Sequence, residues 1–177
     1  MNGSSLRKGV NREMKKILVL VVAALMALGF SLPALANGPT ANLITDGGDN
    51  PTDIGDLTVT YAPGAPGVFT VAYSIDSPWE IVETHVYIGS TTPTKSSPGK
   101  FPYAAGDITF DVGEATSVYI AAHAEVKKPL LDENGLPVLD LNGLPIYVYE
   151  TVWAQTGTDT RIGKSANWAT CFAFTLP

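Results

Sequence analysis

Cysteine is nearly absent from this chain. Cys171 is the only one in 177 residues, so no intramolecular disulfide can form, and stability must come from a core or a bound ion. Catalytic signatures are also missing. There is no Gly-x-Ser-x-Gly elbow, no His-Glu-x-x-His pair and no glycine-rich phosphate loop, so a non-catalytic role is expected. A lone Cys171 in an apolar stretch reads as a small buried hydrophobe rather than a nucleophile. Beyond residue 36 no window of ten or more residues repeats apolar side chains at helical spacing, which excludes a helical body.

Positive charge is scarce as well. Residues 1–36 hold five of the eleven basic side chains and one of the seventeen acidic ones. Their removal leaves six against sixteen, a net charge of −10. Nucleic acid is disfavoured as a partner, because its phosphates need a basic surface. Only one long apolar run occurs, at 17–32. It follows Met14-Lys-Lys16 and precedes Ala34-Leu-Ala36, the order of a secretory signal peptide cut after Ala36, with Met14 as the expected initiator. No second run follows, so the exported product has no expected membrane span. It is expected to be monomeric, secreted or at the cell surface, facing a surface or matrix polymer or a protein.

What remains is rich in strand signals. Residues 79–89 alternate, with Val82, Thr84, Val86 and Ile88 on one face and Glu83, His85 and Tyr87 on the other. Residues 117–126 repeat the arrangement, with Ile120, Ala122, Ala124 and Val126 opposed to Tyr119, His123 and Glu125. Further strands are expected at 57–61, 68–75, 108–112, 147–155 and 168–176, separated by proline and glycine. About eight short strands predict an all-β antiparallel sandwich, Ig-like or jelly-roll-like, over 57–177. Residues 37–56 read as an acidic, Gly/Asp-rich segment before it. Residues 131–146 repeat themselves as Leu-Asp-Glu-Asn-Gly-Leu-Pro-Val and Leu-Asp-Leu-Asn-Gly-Leu-Pro-Ile. Each copy carries Asn-Gly, so the repeat predicts a protruding hairpin or two tight turns, inserted between core strands as a possible second contact.

Four segments in order carry a resemblance. They are Glu83-Thr-His-Val-Tyr-Ile-Gly89 with Ser97-Pro-Gly-Lys-Phe-Pro-Tyr103; Tyr119-Ile-Ala-Ala-His-Ala-Glu-Val126; Glu150-Thr-Val-Trp-Ala154; and Gly163-Lys-Ser-Ala-Asn-Trp-Ala-Thr170. Together they resemble a set of uncharacterised exported β-rich domains of bacterial surface and secreted proteins. The resemblance runs from about residue 54 to 176 and implies no activity. Cys171 stands where that pattern leads one to expect an aromatic, and the 131–146 repeat looks like an insertion.

Candidate sites follow from residue type. Loops 90–103 and 156–167 are the expected contact surface for a carbohydrate or protein. Trp79, Phe101 and Tyr103 would stack there, with Lys100, Arg161 and Lys164 beside them. Trp153 and Trp168 are expected in the core, Trp168 sharing a face with Phe172 and Phe174. The alternative is a metal-dependent protein. His85 and His123 with Glu83 and Glu125 suit zinc or copper, and a register placing His85 opposite Glu125 would set Tyr87 opposite His123. Asp46, Asp49, Asp53 and Asp56 suit calcium, the one cofactor the sequence suggests, although their spacing is not that of an EF-hand.

Overall fold

A computed structural model describes residues 36–45, 51–163 and 168–177, with side chains from residue 38 onward. The signal segment, Asp46, Asp49 and Lys164 lie outside the described residues. Among the described residues ten strands form in chain order: β1 Ala36–Asn37, β2 Ala41–Thr45, β3 Asp53–Ala62, β4 Gly67–Ile75, β5 Glu80–Gly89, β6 Gly106–Phe110, β7 Ser117–Pro129, β8 Tyr147–Gln155, β9 Thr160–Arg161 and β10 Thr170–Thr175. The only helical turn among the described residues is a 3-10 turn at Pro98–Lys100. Every strand pairing is antiparallel, and the fold is an all-β, sandwich-like one, as the alternation predicted.

The hydrogen-bonded path runs β6-β4-β3-β2-β8-β7-β10-β9, with β5 also on β7 and β1 also on β3. The chain between β5 and β6 adds a bridge off that path. Tyr103 exchanges backbone hydrogen bonds with Val86 of β5 at 3.1 and 2.7 Å, and three residues later Gly106 pairs with Val71 of β4. One segment thus links β5, which lies on β7, to β6 at the other end of the strand order.

Enclosed between the layers is one core, supplied by alternate residues of eight strands. Leu43, Leu57, Val59, Phe69, Val71, Val86, Ile120, Val126, Val152 and Phe174 are among its buried members. Each such side chain stabilises the fold by about 1.5–3 kcal/mol relative to exposure. Phe69 anchors it, with Tyr61 at 4.6 Å and Phe174 at 5.6 Å between ring centroids. From β4, the Tyr73 hydroxyl donates 3.2 Å to the backbone carbonyl of His123, tying the core to the middle of β7; burial pushes its pKa well up.

Residues 37–56 are not a mere acidic lead-in. Ala41 and Leu43 are fully buried in β2, which bridges β3 and β8, and Ile54 is buried in β3. Alternation over 41–45 puts every second residue inward, a signal too short to outweigh the polar surroundings in the sequence. Two further expectations give way. Val82 is 46% exposed, because the register shifts between Ile81 and Glu83 and turns it out of the core face. Trp168 is 37% exposed and precedes β10, with the Arg161 guanidinium 5.3 Å from its ring centroid.

Candidate functional site

Strands β5, β7 and β8 turn their second face outward, and the register lines up its side chains in rows. Glu83 stands opposite Glu125, and Glu125 opposite Thr151. One step along, His85 stands opposite His123, and His123 opposite Trp153. The next step sets Tyr87 opposite Ala121. His85 therefore faces His123 rather than Glu125, and Tyr87 faces an alanine. The register is unbroken from Glu83 to Gly89, and alternation, which sets the face and not the partner, cannot supply it.

These rows build a second, smaller apolar cluster outside the main core. Ala121, Trp153, Ile162, Ala169 and Cys171 are buried there, with Tyr87, Phe101 and Tyr119 packed against them. The small side chain of Ala121 leaves room over the sheet, and Phe101 uses it, 5.9 Å from the Tyr87 ring and 6.1 Å from that of Trp153. The Pro98–Lys100 turn delivers Phe101, whose N–H donates 2.8 Å to the carbonyl of Pro98. His123 continues the row, 4.9 Å from Trp153 and 5.7 Å from His85. The Cys171 thiol is pushed up to about 11 by burial and then by the Asp159 charge, so it is held as a thiol.

The sequence-derived aromatics therefore divide. Phe101 packs in the outer cluster, while Trp79 and Tyr103 pack against the main core. They do not make one platform. Lys128 lies 4.4 Å over the Trp79 ring. Loops 90–103 and 156–167 lend Phe101 and Ile162 to the cover of the outer face. Lys100 is exposed in its turn, and Arg161 is exposed on β9.

Of the metal candidates, Glu83, His85, Glu125, His123, Asp53 and Asp56 fall among the described residues. His85 Nε2 is 3.5 Å from Glu83 Oε2, with the imidazole 17% exposed. Among the described residues no group of three His, Cys, Asp or Glu side chains is placed to hold an ion. Asp53 and Asp56 lie exposed on β3, and Asp53 Oδ1 accepts the Gly55 N–H at 3.2 Å.

The 131–146 repeat is bonded within itself and carries a run of exposed leucines. Leu130, Val138 and Ile146, spaced by the repeat length, close a ring of backbone hydrogen bonds. Leu130 donates to Ile146, Val138 to Leu130, and Ile146 to Val138, each at 2.8 Å. Two lobes spring from this ring, one over 131–137 and one over 139–145, and their internal bonding is the same. Asp132 Oδ1 accepts the N–H groups of Asn134 and Leu136, both at 2.9 Å; Asp140 Oδ1 accepts those of Asn142 and Leu144 at 2.8 and 2.9 Å. These bonds favour the charged carboxylate and hold both aspartates below the ordinary 3.8. Gly135 and Gly143 supply the left-handed residues, at φ of 77° and 80°, that the turns require. The repeat is thus two tight turns. Leu131, Leu136, Leu139, Leu141 and Leu144 are all exposed on them, Leu141 completely. Sequence reading found the turns but not this apolar crown, because leucine beside Asn-Gly reads equally well as a side chain folded back onto the sheet.

The chain matches no protein-family model, no curated protein and no solved structure.

Proposed function

We propose that this chain is an exported, non-catalytic binding module of the cell surface or its surroundings, engaging a protein through the leucine-bearing double lobe at 131–146. One observation carries the reading. Five leucines that a core would accept are held in water by two turns whose every bend is hydrogen-bonded. Large contiguous exposed apolar patches mark interaction sites, and a rigid presenter loses little entropy on binding. Loops 90–103 and 156–167 are the weaker candidates, since the outer cluster engages Phe101 and Ile162. Export rests on the signal-like residues 14–36. Among the described residues no helix is long and apolar enough to cross a membrane.

The test places a photo-crosslinking amino acid at position 141, or at the exposed, sheet-borne position 173, in chains made by the producing cell. Trapping of one defined extracellular protein from 141 and not from 173 supports the reading. Equal trapping from both positions, or trapping only from positions 100 and 161, returns the contact to the long loops.

A further inference from the structure

The two lobes are an internal comparison. They share turn geometry and bonding, and aligned by position they match at Leu131/Leu139, Asp132/Asp140, Asn134/Asn142, Gly135/Gly143, Leu136/Leu144 and Pro137/Pro145. One position differs in kind: Glu133 at the apex of the first lobe answers to Leu141 at the apex of the second. Neither apex supports its own turn, because the Asp side chain and the backbone make those bonds. Local folding leaves that choice free.

Charge is sorted along the same projection. Residues 130–146 contain Asp132, Glu133 and Asp140 and no basic side chain. The cations that precede it in the chain are engaged elsewhere: Lys127 lies 3.5 Å from Glu80 and 4.3 Å over the Tyr147 ring, and Lys128 lies 4.4 Å over the Trp79 ring. A projection that carries exposed leucines and carboxylates without a basic side chain is complementary to an apolar pocket edged with lysine or arginine. A second copy of the chain would bring the same carboxylates together, and an anionic bilayer would repel them.

Resting on the reading of the double lobe as the contact surface, we infer that its partner is a protein with a basic-rimmed apolar pocket, and that the lobes act unequally. Leu141 enters the pocket as the anchor. Glu133 stays at the rim and pairs with a cation there. Anchors of this kind dominate binding energy, and rim charges mainly set encounter rate and salt dependence.

The probe is a fluorescent amphipathic helical peptide with one leucine face and one lysine face, titrated against the full chain by anisotropy. Its leucine–glutamate counterpart serves as control. Leu141→Glu is expected to weaken binding of the lysine peptide by about tenfold or more at every salt concentration. Glu133→Gln is expected to weaken it by about threefold at low salt and not at high salt. Adding Glu133→Leu to Leu141→Glu should fail to restore binding. Circular dichroism checks the fold of each variant, all of them changed only at exposed apex positions. Equal binding of the glutamate peptide, full rescue by the swapped pair, or no binding of either peptide overturns the inference. So does Leu141-dependent binding to phosphatidylserine vesicles, or Leu141-dependent dimers in sedimentation. A chain with residues 131–145 replaced by Asn-Gly separates the two levels. Undiminished peptide binding there removes the contact surface itself; lost binding there with indifferent apex variants removes only the assignment of anchor and rim.

Discussion

At the scale of single residues, close packing dictates the outcome of small changes. Gly38 joins β1 to β2 against the Phe174 ring, and a Cβ built there would collide with Phe174 Cε2. Gly38→Ala should therefore destabilise the fold by about 1–3 kcal/mol, read as a lowered denaturation midpoint with an unchanged slope. An unchanged midpoint would mean that Phe174 is free to move. Trp153→Ala empties the centre of the outer cluster and should destabilise by about 3–5 kcal/mol. Cys171 is fully buried and its thiol is raised to about 11, from an ordinary 9.0. Its alkylation at pH 8 should be slower than in the unfolded chain by about two orders of magnitude or more, since only the thiolate reacts. Rapid native-state labelling, measured by mass spectrometry, would contradict that burial. Little of this was legible beforehand. Cys171 could be read as a small hydrophobe from its apolar neighbours, but the closeness of Gly38 to Phe174 joins residues far apart in sequence.

Elements bring out a different balance of local and distant causes. The lobes at 131–137 and 139–145 are short-range structures, each locked by one aspartate. Both carboxylates sit below 3.8 because the folded turn donates N–H groups to the charged form. Their contribution is thus complete above the unfolded value near 3.8 and is lost as pH falls through the lower folded value. The amide resonances of Leu136 and Leu144 should accordingly shift with acid titration midpoints below 3.8, and Asp140→Ala should broaden those of the second lobe alone. Midpoints at or above 3.8 would show that the turns do not depend on the charge. This much follows from sequence, since Asp-x-Asn-Gly is turn chemistry. Register is another matter. Alternation places His85 and His123 on one face, but it does not say which residue of β7 stands opposite which of β5.

On the scale of the whole molecule, one core is shared by eight strands, so unfolding should be a single cooperative transition. The double lobe lies apart from that core. Replacing residues 131–145 by Asn-Gly, which the Leu130 to Ile146 hydrogen bond invites, should change stability by less than about 1 kcal/mol. A larger loss would mean that the leucines pack on the body.

By itself the sequence determined the class of the fold, the positions of most strands, the faces of β5 and β7, and the turns of the repeat. Those are consequences of a period-two pattern and of glycine, proline and asparagine geometry, all of which act over a few neighbouring residues. Tertiary structure alone decided that Ala41 and Leu43 belong to the core, that Phe101 packs on the cluster of Ala121 and Trp153, and that the leucines of the double lobe stay exposed. Each of those depends on which strand lies beside which, and that is settled by the summed burial of the whole sheet.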